Sequence, residues 1–145
     1  MQMVPRASER GSSVAVEAAL VLPVAMLFVG LVIVMAGHAL AQQAVTAAAT
    51  RAARAASLER SQASAERAAL DAAVTELGNS RITCTDAQVS VDARGLEAPM
   101  GTVASVTVRL TCRAVFPVSM PGFPASRSLT GEGTSPVDTY RGRNG

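Results

Sequence analysis

Hydrophobic and polar positions fall into three regimes along this chain: an unbroken apolar run, an alanine-rich stretch without a turn signal, and a stretch that alternates residue by residue. The first runs from Ala18 to Gly37, twenty residues with no charged or polar side chain, beginning directly after the acid Glu17. As a helix, at about 1.5 Å per residue, it matches a hydrocarbon thickness of about 30 Å and exceeds the usual signal-peptide apolar core of about 7 to 15 residues. The second regime follows without interruption. From Ala39 to Leu77 there is neither Pro nor Gly, so the pattern predicts one helix counted from Val14 to Leu77, with Pro23 early enough to be tolerated and Gly78-Asn79 as its stop. Leu70, Val74 and Leu77, with Ala63 and Ala73 nearby, define the face expected to bury against later strands. Between Ala41 and Ala56 alanine occupies nearly every side, which permits close approach of another helix and suits a helical assembly.

The third regime starts at Arg81. Ile82, Cys84, Val89 and Val91 predict a strand pair or one interrupted strand, and residues 93–101 a loop. The run SVTVRLTCRAV predicts the clearest strand, with Val106, Val108, Leu110, Cys112 and Ala114 toward a core and Thr107, Arg109, Thr111 and Arg113 toward water. Pro117, Pro121 and Pro124 predict a loop, Ser126 to Thr130 a weaker strand at the sheet edge, and the glycines from Gly131 onward a partly disordered tail. The fold class expected is α+β: a long N-terminal helix whose first part spans a membrane, packed at its far end on a small antiparallel sheet.

Composition narrows the function classes. The chain has 145 residues, no Trp, one Tyr and three Phe, so it offers no aromatic platform for bases or sugars. All thirteen basic residues are Arg, and Glu59 and Glu66 interleave with Arg51, Arg54, Arg60 and Arg67, which describes a solvated helix face rather than a nucleic-acid stripe. The lone histidine, His38, sits at the far end of the apolar run with no nearby acid to orient it, and reads as an interfacial residue. Neither zinc-ligand spacing, a phosphate-binding glycine loop nor a nucleophile elbow occurs in the sequence, so neither an enzyme nor a cofactor is expected. Cys84 and Cys112 lie in strand-like runs beyond the apolar segment and are expected to form a disulfide rather than two buried thiols.

Orientation follows from a short tail with Arg6 and Arg10 before the apolar run and the cysteine pair after it, which place the N-terminus in the cytoplasm. An export alternative exists. Ala39-Leu40-Ala41 is an A-x-A tripeptide of the type signal peptidase cleaves, and cutting there would release a secreted protein beginning at Gln42.

The opening RGSSVAVEAALVLPVAMLFVGLVIV resembles the TadE-like family of tight-adherence (Tad/Flp) pilus systems, through Gly11, Ser12, Val16, Glu17, Ala19, Leu20 and Pro23. The ending SPVDTYRG, Ser135 to Gly142, is similar to that of actinobacterial members. The resemblance implies a pilin-like fold and a minor pilin or pseudopilin held in the membrane by its helix. It also implies a prepilin peptidase cutting near Gly11 or Ser12; only the cut after Ser12 puts Glu17 at the fifth mature position. Other implied partners are pilin-like subunits and the Tad inner-membrane platform, with Glu17 as the subunit-association residue. The organisation expected is a cytoplasmic leader over residues 1–11, a helix over 12–78 with its membrane segment at about 16–40, and an extracytoplasmic β domain over 79–145 with a flexible tail. The alternative function is a single-pass membrane-anchored envelope protein, or a secreted protein cleaved after Ala41, with a ligand-binding head.

Overall fold

The computed structural model describes residues 9–117, 121–138 and 140, with side chains from Ala15 onward. Residues 1–8 of the expected leader, and 141–145 of the expected tail, lie outside the described residues. The elements are α1 (Glu9–Ser57), α2 (Gln62–Asn79), β1 (Thr83–Asp92), a short 3₁₀ turn (Arg94–Glu97), β2 (Ala104–Val115) and β3 (Ser126–Val137). The architecture is α+β. The chain divides into two units, Met1–Ala36 and Gly37–Gly145.

In the second unit the strands form an antiparallel meander in the order β1-β2-β3. The alternation on β2 is as its sequence predicts: Val106, Val108, Leu110, Cys112 and Ala114 are fully buried. On the opposite face Thr107 and Thr134, Arg109 and Glu132, and Thr111 and Thr130 stand directly across from one another. The Arg109–Glu132 pair closes at 2.8 Å and both threonine pairs at 3.2 Å. Such cross-strand polar pairs are what a water-facing sheet surface favours. β1 is one strand with a register irregularity between Thr85 and Gln88, where Asp86 takes a positive φ of 54°. A bulge there leaves Cys84 opposite Ala114 and beside Cys112, and the two cysteines form a disulfide across adjacent strands. Replacing both by alanine is expected to cost roughly 2 to 5 kcal/mol, read as a lower urea midpoint of the full chain in detergent micelles.

The helical part differs from expectation in three respects. First, the long helix is broken: α1 ends at Ser57, and Leu58 to Ser61 turn the chain into a separate α2. The reason is a serine-based signal without Gly or Pro. Ser57 Oγ donates back to the Arg54 carbonyl at 2.8 Å, and Ser61 N-caps α2 in a reciprocal capping box with Ser64. Each satisfied cap is worth about 1 kcal/mol, enough to place a boundary where the core demands one. Arg51 then meets Glu76 at 3.1 Å, tying α1 to α2.

Second, the buried face of α2 is Ala65, Ala69, Ala73 and Leu77, a four-residue spacing, while Ala63, Leu70 and Val74 are exposed. Leu77 and Ala73 bury as expected, whereas Ala65 and Ala69 complete the face in place of Leu70, Val74 and Ala63. That face joins a core that also holds the alanine row of α1, where Ala48, Ala49, Ala52, Ala53 and Ala56 are fully buried, and α2 packs against β1 as well. That alanine-rich stretch, predicted to serve an assembly, is therefore largely consumed within the chain. The helix also stops without a left-handed residue at Gly78 or Asn79: the Ser80 N–H reaches the Glu76 and Leu77 carbonyls, and Ser80 Oγ donates to Leu77 at 2.6 Å.

Third, Gly131 and Gly133 belong to a twelve-residue β3 and not to a disordered tail. Both are buried, on the same face as Leu129. A Cβ on Gly131 would stand 2.6 Å from the Val45 carbonyl oxygen, and one on Gly133 would meet Thr50 Cα and lie 2.5 Å from the Ala49 carbonyl. The backbone of α1 thus lies directly on the backbone of β3. Gln42 Nε2 donates to the Thr130 carbonyl at 2.8 Å, and Ser57 and Ser135 hydroxyls meet at 3.0 Å. Glycine is required at both positions because any side chain would push the helix off the sheet.

Candidate membrane and subunit-contact site

In the first unit α1 continues through Pro23. As far as Val29 its apolar side chains are exposed on every side, with Leu20, Val21, Leu22, Val24, Met26, Leu27, Phe28 and Val29 all at 56% exposure or more, while Val34 is buried. A helix apolar all round is stable inside a large core or inside lipid, and among the described residues no core covers this stretch. Among the described residues this is the one helix long and apolar enough to cross a membrane, and hardly any of its apolar window is buried.

Glu17 lies on α1 between the exposed Val16 and Leu20, and takes part in no ion pair among the described residues. A carboxylate in that setting costs on the order of 2.5 to 3.5 kcal/mol to hold in hydrocarbon unless it finds a partner or reaches the headgroups. The main chain of Gly11 and Ser12 is helical, within α1, while their side chains lie outside the described residues. Residues 13–54 match the model of the TadE-like protein family. That segment is similar to the TadE-like family. The TadE-like segment covers Glu17, the whole apolar run, and the alanine row as far as Arg54. Gly11, Ser12, α2 and the sheet lie outside it. No curated protein and no solved structure matches the chain.

Two of the sequence-predicted residues, Cys84 and Cys112, are brought together; Gly11, Ser12 and Glu17 lie along the first part of α1. His38 has a setting that its sequence neighbours did not reveal. Its ring centroid stands 3.9 Å from that of Phe116 and 6.5 Å from that of Phe123, both on the β2–β3 loop. Its Nδ1 is buried with no hydrogen-bond partner among the described residues. The signal available in the sequence was that two of the chain's three Phe fall in that loop. No group of three or more metal-ligating side chains occurs among the described residues. The clearest electrostatic perturbation is elsewhere: hydrogen bonds from the Arg94 side chain and backbone hold the Asp92 carboxyl at about 2, well below the usual carboxylate range. Asp92 and Arg94 are exposed at the end of β1, far in sequence from the apolar helix, and read as a surface pair.

Proposed function

We propose that this chain is a minor pilin-like (pseudopilin) subunit or assembly factor of a Tad-type pilus, anchored by the apolar part of α1 with its β domain outside the cytoplasm. The observation carrying this reading is the TadE-like match over residues 13–54, which contains a lone acid on a helix that is otherwise apolar all round. The physical logic is that a bilayer stores such a helix singly, and a bundle of like helices can replace the lipid at little cost while offering Glu17 a cationic partner. That partner is the α-amino group exposed on a neighbouring subunit when a prepilin peptidase cuts near Gly11 or Ser12. The platform in the inner membrane is the remaining partner; the chain binds and does not catalyse.

With the alanine row committed to the chain's own core, the contacts between subunits fall to the stretch from Glu17 to Gly37. Deleting the gene is expected to abolish or strongly reduce sheared surface fibres, with full-length complementation restoring them, as read by fibre yield and electron microscopy. Undiminished fibres would favour the other reading, a plain membrane-anchored envelope protein.

A further inference from the structure

We infer that the groove between α2 and the outer edge of β1 is a docking site for an extended segment of a partner protein, which joins the sheet as a further strand and carries apolar side chains at alternate positions followed by a basic one. The inference concerns the β domain alone and stands apart from the anchor reading of α1. Among the described residues β1 has β2 as its one neighbour in the sheet, so along its other edge the main-chain N–H and C=O groups of alternate residues have no ladder to complete. β3, at the opposite edge, gives its Thr130 carbonyl to Gln42 and carries a proline at position 136. Beside the β1 edge an open groove of about 430 Å³ is lined by Glu66 and Leu70 of α2 and by Val89, Ser90 and Val91 of β1. The pairing of β1 with β2 is regular from Gln88 to Asp92, beyond the bulge. At about 3.3 Å per residue that length accepts about five residues of an added strand.

The groove's chemistry selects the occupant. Val89 and Val91 are half-buried, two residues apart on the core face of β1, while Leu70 is 48% exposed and Val74, one turn further along α2, 57%. An added strand turns alternate side chains toward α2, where apolar ones cover Leu70, Val89 and Val91 and take that surface out of water. The one charged side chain lining the groove is Glu66, which accepts a hydrogen bond from Gln62 at 3.1 Å and forms no ion pair among the described residues. Glu66 stands one helical turn before Leu70 on the same face, so a basic side chain two strand positions beyond an apolar one is placed to meet it. Arg67 is exposed beside it and does not line the groove, and Asp92, at the end of β1, is already held by Arg94. In this arrangement the main-chain ladder supplies affinity and the alternate side-chain positions supply selectivity, the division of labour of strand-addition sites.

The test uses the full chain in detergent micelles and a fluorescein-labelled synthetic peptide, TVTVTRT, whose two valines and arginine fall on one side of a strand. Fluorescence anisotropy reads binding, with empty micelles as the blank. Saturable binding with a Kd below about 1 mM is expected, and none from the same peptide methylated on its backbone nitrogens, which cannot form the ladder. Leu70→Ser and Glu66→Gln are each expected to weaken binding at least about threefold. Both side chains are exposed, so the urea midpoint should not move. Glu66→Arg should make the acidic peptide TVTVTET the tighter ligand, and Val103→Ser, a highly exposed position outside the groove, should change nothing. An absence of saturable binding would overturn the inference. Equal binding of the methylated peptide, or indifference to both Leu70→Ser and Glu66→Gln, would do the same by reducing the contact to apolar adsorption or moving it elsewhere. Peptide binding that falls as protein concentration rises, with a dimer growing in sedimentation, would assign the groove to a second copy and also overturn it.

Discussion

Gly133→Ala unfolds or severely loosens the β domain, although it adds one methyl group. The new Cβ meets the main chain of α1, at Thr50 and Ala49, rather than the end of a flexible side chain. Relief requires moving a helix that is also held at Val45 against Gly131 and by Gln42 on Thr130. Overpacking ordinarily costs about 1 to 3 kcal/mol, and contact with backbone puts this position at or above the upper end. A domain of this size has total stability on the order of 5 to 10 kcal/mol, so the loss removes a large share. Thr134→Ala is the matched control, one residue along the same strand on the exposed face, and should stay within about 1 kcal/mol. Urea melts and limited proteolysis of the full chain in micelles read the difference. Equal stability of the two variants would mean that α1 does not lie on β3 as described.

Glu17→Gln has its large effect on assembly and not on folding. Glutamine is nearly isosteric and neutral, so membrane insertion should be retained or slightly improved. What disappears is the charge that, on the proposed reading, pairs with a neighbour's α-amino group in an apolar bundle. A buried charge pair of that kind, when one partner is removed, costs on the order of 2 to 5 kcal/mol, which is at least tenfold in subunit association at each interface. Sheared fibre yield should therefore fall at least about tenfold while the amount of protein in the membrane fraction stays the same. Unchanged fibres would reduce Glu17 to a marker of the headgroup boundary.

The apolar helix and the central strand were legible because each is governed by a single physical signal, an unbroken run of lipid-compatible side chains or strict alternation. The cysteine pair was legible from its strand contexts. What the sequence concealed was governed by smallness. On α2, Leu77 and Ala73 bury as the periodicity indicated, but Ala65 and Ala69 complete the buried face while Leu70 and Val74 are exposed, because weighting by hydrophobic bulk passes over alanine. Gly131 and Gly133 read as tail because glycine is ordinarily depleted from strands, yet their parity with Leu129 and Ser135 already matched the core face of β3. The break after Ser57 was missed because its signals, a back-bonded Ser57 and the Ser61–Ser64 capping box, lie in a stretch otherwise dominated by alanine. The candidate site was legible in its residues and not in its geometry: Glu17 stands out in sequence, whereas the packing of His38 against Phe116 depends on a loop some eighty residues away.

The proposed role depends most on α1 remaining attached to the β domain after export. The most direct measurement is the mass and N-terminal sequence of the protein recovered from membranes and from sheared fibres. The account predicts a chain that begins at Ser12 or Ser13, retains the apolar run and is found in the membrane fraction. A soluble product in the medium beginning at Gln42 would contradict it.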